Sequence, residues 1–239
     1  MDSGKEVGSG TMDSGRAGGL SLIIGILLTV VGNLTHPRAA GGELGSGSVD
    51  TETGLIVNNL GIWYPSHVLI TVSIPILLFG YVTVYRMLRD RDGRTFSVPA
   101  LLSIVGWATL SFLAIIIDGF LTPLLAQNYA NAAQSDKALT GAIFDYNFLL
   151  SLTFLGPAFL GYTIGISLLG ASLVKTKTQH KWFGTAGIVV GLAGLLGYVA
   201  GIFGPYWVLS LAFTPYITIV AVWVIILGIL QFRATPTAK

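Results

Sequence analysis

The chain has 239 residues, of which 53% are hydrophobic and only 10% charged, with a mean hydropathy of +0.76 and a formal net charge of +2. Soluble domains carry about 25% charged residues, so this composition excludes an ordinary soluble domain, and so small a net charge gives no electrostatic footprint for nucleic acid. With no cysteine, disulfides, thiolate metal sites, thiol catalysis and lipidated cysteine anchors are excluded as well.

Residues 1–16 are rich in glycine, serine and acids with little to bury, which predicts a disordered tail. No strand precedes their glycines and the lysine spacing is wrong for a phosphate loop. Residues 17–233 then read as one all-α unit, a polytopic membrane bundle of six transmembrane helices, each near or above the roughly 20 residues needed to cross a bilayer. The spans run from about Ala17 to Leu34, His67 to Leu88, Ser97 to Leu121, Asn147 to Val174, Trp182 to Phe203 and Tyr206 to Phe232, leaving 234–239 as a short tail. Pro157 and Pro215 lie inside spans, where they predict kinks rather than breaks. Basic residues before the first span and Arg38-Ala39-Ala40-Gly41 after it also fit a cleaved signal peptide, but the apolar run is long for one.

Basic residues near span ends stay in the cytoplasm. Lys5, Arg16, Arg86, Arg89, Arg91, Arg94, Lys175, Lys177, Lys181, Arg233 and Lys239 fall on one side, and only Arg38 and Lys137 on the other. That census predicts a multi-pass protein of the cell membrane with both termini cytoplasmic. On the outer side, Asp50 to Pro65 is expected to hold a short interfacial helix ending in Trp63-Tyr64, because aromatic rings favour the headgroup level. Ser135-Asp136-Lys137-Ala138 is a helix start that can run unbroken into the fourth span. Asn33-Leu34-Thr35 matches a glycosylation triplet, but it abuts the end of a span.

Glycines 184, 187, 191, 194, 197, 201 and 204 recur every three or four residues along the fifth span, so Gly184, Gly187, Gly191, Gly194, Gly197 and Gly201 form one helical stripe. Gly161 and Gly165 repeat the spacing in the fourth span. Small residues let backbones approach closely in lipid, so the stripe predicts tight packing within the chain, or a seam for a homodimer or another membrane protein. A glycine-lined passage for substrate is the lesser alternative.

Asp118 is the only acid or base inside an apolar run, and an ionisable group at that depth is a functional candidate by default. The predicted threading brings His36, His67, Asp145 and Asn147 to the same outer level. Imidazole and carboxylate are normal ligands for Zn, Fe or Cu, so the set admits a metal or proton site. The plainer reading is that these groups meet water or cap helices at an interface. His67 is the one fair candidate for a haem axial ligand. Deeper hydroxyls include Tyr81, Thr83, Tyr85, Ser151, Thr153, Ser167 and Ser172, and Tyr162 with Tyr198 could line a ligand pocket. No charged relay crosses the bilayer, and hydrolase, metalloprotease and desaturase motifs are missing.

Lys175 to Lys181, then Trp182-Phe183-Gly184, the glycine-patterned span, a proline, Val222-Trp223-Val224-Ile225-Ile226-Leu227-Gly228 and Phe232-Arg233 resemble a group of small prokaryotic six-helix membrane proteins, domain of unknown function 4386. The likeness covers about the last third of the chain in motifs and the rest by span order. An acid common in that group's last span is absent here, and Lys181 stands where members carry proline before the tryptophan. The resemblance implies fold and membrane location, and no activity. The expectation is a non-catalytic bundle that binds membrane lipids, a lipid-like ligand or a membrane partner. The alternatives are a metal- or haem-dependent enzyme with its site at the outer leaflet, and a small transporter, for which no convincing internal repeat is found. Sequence names neither the cofactor nor the metal.

Overall fold

The computed structural model describes residues 9–37, 48–89, 91–176, 181–203 and 206–233, and the side chains of these except 9–13 and 202–214. All regular structure among them is helical, and six helices are long and apolar enough to cross a membrane. The helices are α1 (Ser9–Thr35), α2 (Val49–Asn58), α3 (Leu60–Leu88), α4 (Arg94–Ile116), a π-helical turn (Ile117–Leu121), α5 (Thr122–Asn131), α6 (Lys137–Thr176), α7 (Lys181–Phe203) and α8 (Tyr206–Arg233). The molecule is a polytopic membrane protein.

Several bounds differ from the sequence expectation. The first helix starts at Ser9, inside the expected tail, while residues 1–8 and 234–239 and the Gly/Ser stretch 38–47 lie outside the described residues. The Trp63-Tyr64 pair belongs to the first turns of α3, because α2 stops at Asn58 and Asn59 serves as the junction between the two helices. α6 runs unbroken for 40 residues, about 60 Å at 1.5 Å per residue and twice the hydrocarbon thickness.

The spanning helices form a closed ring in chain order: α1 packs on α3, α3 on α4, α4 on α6, α6 on α7, α7 on α8, and α8 returns to α1. Side chains such as Leu22, Leu77, Tyr81, Ile104, Ile166, Leu173, Phe183 and Leu227 fill its middle. Glycines set the closest approaches. A Cβ on Gly170 would stand 2.6 Å from the Gly184 carbonyl oxygen, and one on Gly187 2.6 Å from the Trp223 ring, so Gly184, Gly187, Gly191 and Gly194 are spent inside the chain against α6 and α8. A Cβ on Gly197 meets nothing. Gly161 and Gly165 face α4. A second seam, Gly18, Gly19, Gly25 and Gly32 of α1 with Gly80 of α3 and Gly228 of α8, draws those three helices together. Hydroxyl and amide bonds tie the ring further: Thr29 donates to Ser73 at 2.8 Å, Gln231 Nε2 to Thr83 at 2.6 Å and the Trp223 indole to the Phe183 carbonyl at 3.2 Å. In lipid each such bond contributes on the order of 0.6 kcal/mol.

The bundle has two unlike ends. At one, the α3–α4 turn is anchored by Ser172, which donates to the Gly93 carbonyl at 3.0 Å. Arg16, Arg86, Arg89, Arg91, Arg94, Lys175, Lys181 and Arg233 gather there through the helix order, leaving Lys137 as the one described lysine or arginine at the other end; Lys5, Arg38, Lys177 and Lys239 lie outside the described residues. The other end carries α2 and α5. Ser48 caps α2 by accepting the Thr51 N–H, with Asp50 and Glu52 in the first turn where the helix dipole favours acids. Its inner face places Ile56 against Trp63, Ala126 and Phe144. Tyr129 donates to Asp50 at 2.8 Å, and Lys137 both donates to the Tyr129 carbonyl and lies 4.0 Å from that ring's centre. A second small core therefore caps the ring.

Candidate functional site

The site lies at this capped end, where α1, α3 and the π turn meet. On α3, Trp63 and His67 are one turn apart and share a face. The His67 side chain is only 1% exposed, and its Nδ1 lies 2.8 Å from the Trp63 carbonyl oxygen. A carbonyl can only accept, so Nδ1 carries a hydrogen and donates it. That assignment turns Nε2 toward Asp118, whose Oδ2 stands 2.9 Å away. Asp118 is 25% exposed, so the pair is reachable from one side.

The π turn is what delivers Asp118. Within Ile117–Leu121 the hydrogen-bond reach lengthens to five residues, shown by the Thr122 N–H on the Ile117 carbonyl, and the extra residue shifts the phase of the helix that continues beyond α4. Gly119 follows Asp118 and lies under His67: a Cβ there would be 2.6 Å from the histidine Cβ and 2.7 Å from its ring. The same turn is fixed from α6, where buried Asn147 donates to Thr122 Oγ1 at 2.8 Å.

His36, at the end of α1, closes the group. Its ring centre lies 4.8 Å from that of His67 and 4.7 Å from that of Trp63, while Trp63 stacks on His67 at 4.7 Å and 29°. Ligand atoms of His36, His67 and Asp118 all fall within 4.8 Å of one another. The Trp63 indole N–H is buried and has no acceptor among the described residues.

Of the five residues brought to this level by the sequence, the structure unites three. Asn147 acts indirectly, through Thr122. Asp145 is exposed on α6 and makes no part of the group. Tyr162 and Tyr198 have different neighbours: Tyr162 shares a 2.9 Å hydrogen bond with Tyr81 and lies over Trp107 at 4.5 Å, whereas Tyr198 lies beside Phe159 at 5.8 Å. Trp63, Gly119 and Thr122 were not singled out as site residues. Their signals were present, a carbonyl four residues before a histidine and a glycine directly after the one intramembrane acid, but each has meaning only once its partner helix is known.

Fold and site together define the class, a six-span helical membrane protein with a His–Asp cluster at one end. No family model, curated protein or solved structure matches the chain.

Proposed function

We propose that this is a multi-pass protein of the cell membrane, with both termini in the cytoplasm, that captures a ligand at the extracytoplasmic mouth of its bundle and does not carry it across. The observation behind this reading is the convergence of His36, His67 and Asp118 at the end opposite the basic residues. Basic flanks are retained in the cytoplasm, which supports an outer position for the cluster. Asp118 gives a ligand access, while His67 is held rigidly enough to recognise it. Transport is disfavoured by the middle of the ring. Among the described residues no Asp, Glu, Lys or Arg lies between the Asp118 level and the basic end, so the stepping-stones of an ion-coupled pump are lacking there.

The cysteine-free chain suits a direct test. Single cysteines are introduced as Ser135→Cys and Asp118→Cys at the capped end and Asp92→Cys at the basic end. A membrane-impermeant thiol reagent applied to intact cells is expected to label the first two and spare the third. Labelling of Asp92→Cys alone reverses the orientation and removes the proposed function.

A further inference from the structure

We propose that His36, His67 and Asp118 bind one divalent first-row transition-metal ion, which deepens and rests on the capture site described above. Two imidazoles and a carboxylate form a donor set such ions favour. Ions of this class bind N and O at about 2.0–2.2 Å, so two ligand atoms on one ion stand about 2.9 Å apart at a right angle and about 3.4 Å apart at a tetrahedral angle. The 2.9 Å between His67 Nε2 and Asp118 Oδ2 already satisfies the first. His36 has a ligand atom within 4.8 Å of those of both, close enough to be the third donor.

The tautomer points the same way. With Nδ1–H donated to the Trp63 carbonyl, Nε2 is the nitrogen that, once it gives up its proton, offers a lone pair to an ion on the carboxylate side. An outer-shell carbonyl that fixes a ligand imidazole in this way is the usual support of a metal-bound histidine. A second observation is independent of the ligands. The Trp63 ring lies against both imidazoles, and its buried N–H lacks an acceptor among the described residues. A hydroxide or an anionic ligand on the metal would supply one. Three protein ligands leave coordination positions for such a group and for substrate, unlike a closed structural site.

The competing account is a metal-free ion pair, in which the imidazolium of His67 donates to Asp118 and merely ties α3 to the π turn. Purified full-length protein in nanodiscs, stripped with a chelator, separates the two. Titration with Zn²⁺ is expected to show a single tight equivalent, and Co²⁺ is expected to give visible ligand-field absorption. Asp118→Asn keeps an acceptor for His67, so the fold is retained and the carboxylate ligand alone is lost. That variant and His36→Ala are each expected to weaken binding by about 100-fold or more, a larger change than loss of an outer-shell partner produces. Unchanged affinity in both variants, or no binding by the parent protein, overturns the proposal in favour of the ion pair. Thiol labelling reads the orientation separately: outward labelling without metal binding sinks the metal alone, and metal binding with inward labelling sinks the capture function alone.

Discussion

At the scale of single residues, the site depends on a missing methyl group. Gly119→Ala places a carbon 2.6 Å from His67 Cβ, and neither the π turn nor α3 can retreat far, since Asn147 holds one and α1 the other. Overpacking of this kind costs about 1–3 kcal/mol. The variant is expected to unfold earlier on heating and, in the same preparation, to hold metal more weakly. The Tyr81–Tyr162 pair offers a cleaner case. Tyr81→Phe leaves a buried phenol without its partner, at about 1–3 kcal/mol, whereas replacing both by phenylalanine removes the unmet group. Denaturant unfolding of the two single variants and the double should therefore show the double variant less destabilised than the sum. A strictly additive result would mean the bond contributes nothing.

At the scale of elements, the glycine stripe of α7 is an internal seam at Gly184 to Gly194 and open at Gly197. Gly191→Leu would drive a side chain into the Thr163 carbonyl and Ser167 of α6, while Gly197→Leu projects into free space. The first is expected to lose at least about 1–3 kcal/mol of stability in detergent unfolding, and the second to stay within about 0.5 kcal/mol of the parent. Equal behaviour would refute the seam. The spans were legible in the sequence because hydropathy over 20 residues is a one-dimensional signal, and Asp118 was legible because it interrupts one. Phase was not. Asp145 and Asn147 share a height, yet two residues turn a helix by about 200°, so one is exposed and the other buried. The π turn was equally hidden, since a hydrogen bond that reaches five residues instead of four leaves no mark on hydropathy. The glycines of α1 escaped notice because their partners, Gly80 and Gly228, lie on two other helices.

At the scale of the whole molecule, a bound ion would tie α1, α3 and the π turn of α4 into one unit. Binding to the folded state alone stabilises it by about 2.7 kcal/mol at a ligand concentration 100 times Kd. Zinc at that level is expected to raise the thermal midpoint of the parent protein in nanodiscs and to move that of Asp118→Asn far less, since a 100-fold weaker site gains only about 0.4 kcal/mol or less; an equal rise in both would place the ion elsewhere. The ring has a further consequence for how the protein is made. Its closing contact, Gly19 against Gly228, joins the first helix to the last, and α8 begins about 170 residues after α1 ends. At about 5–20 residues per second, ribosomes reach α8 roughly ten to thirty seconds after completing α1. During that interval the glycine face of α1 has no permanent neighbour on its α8 side. Nascent chains stalled before α8 would present a groove that insertases must shelter and quality-control proteases can recognise.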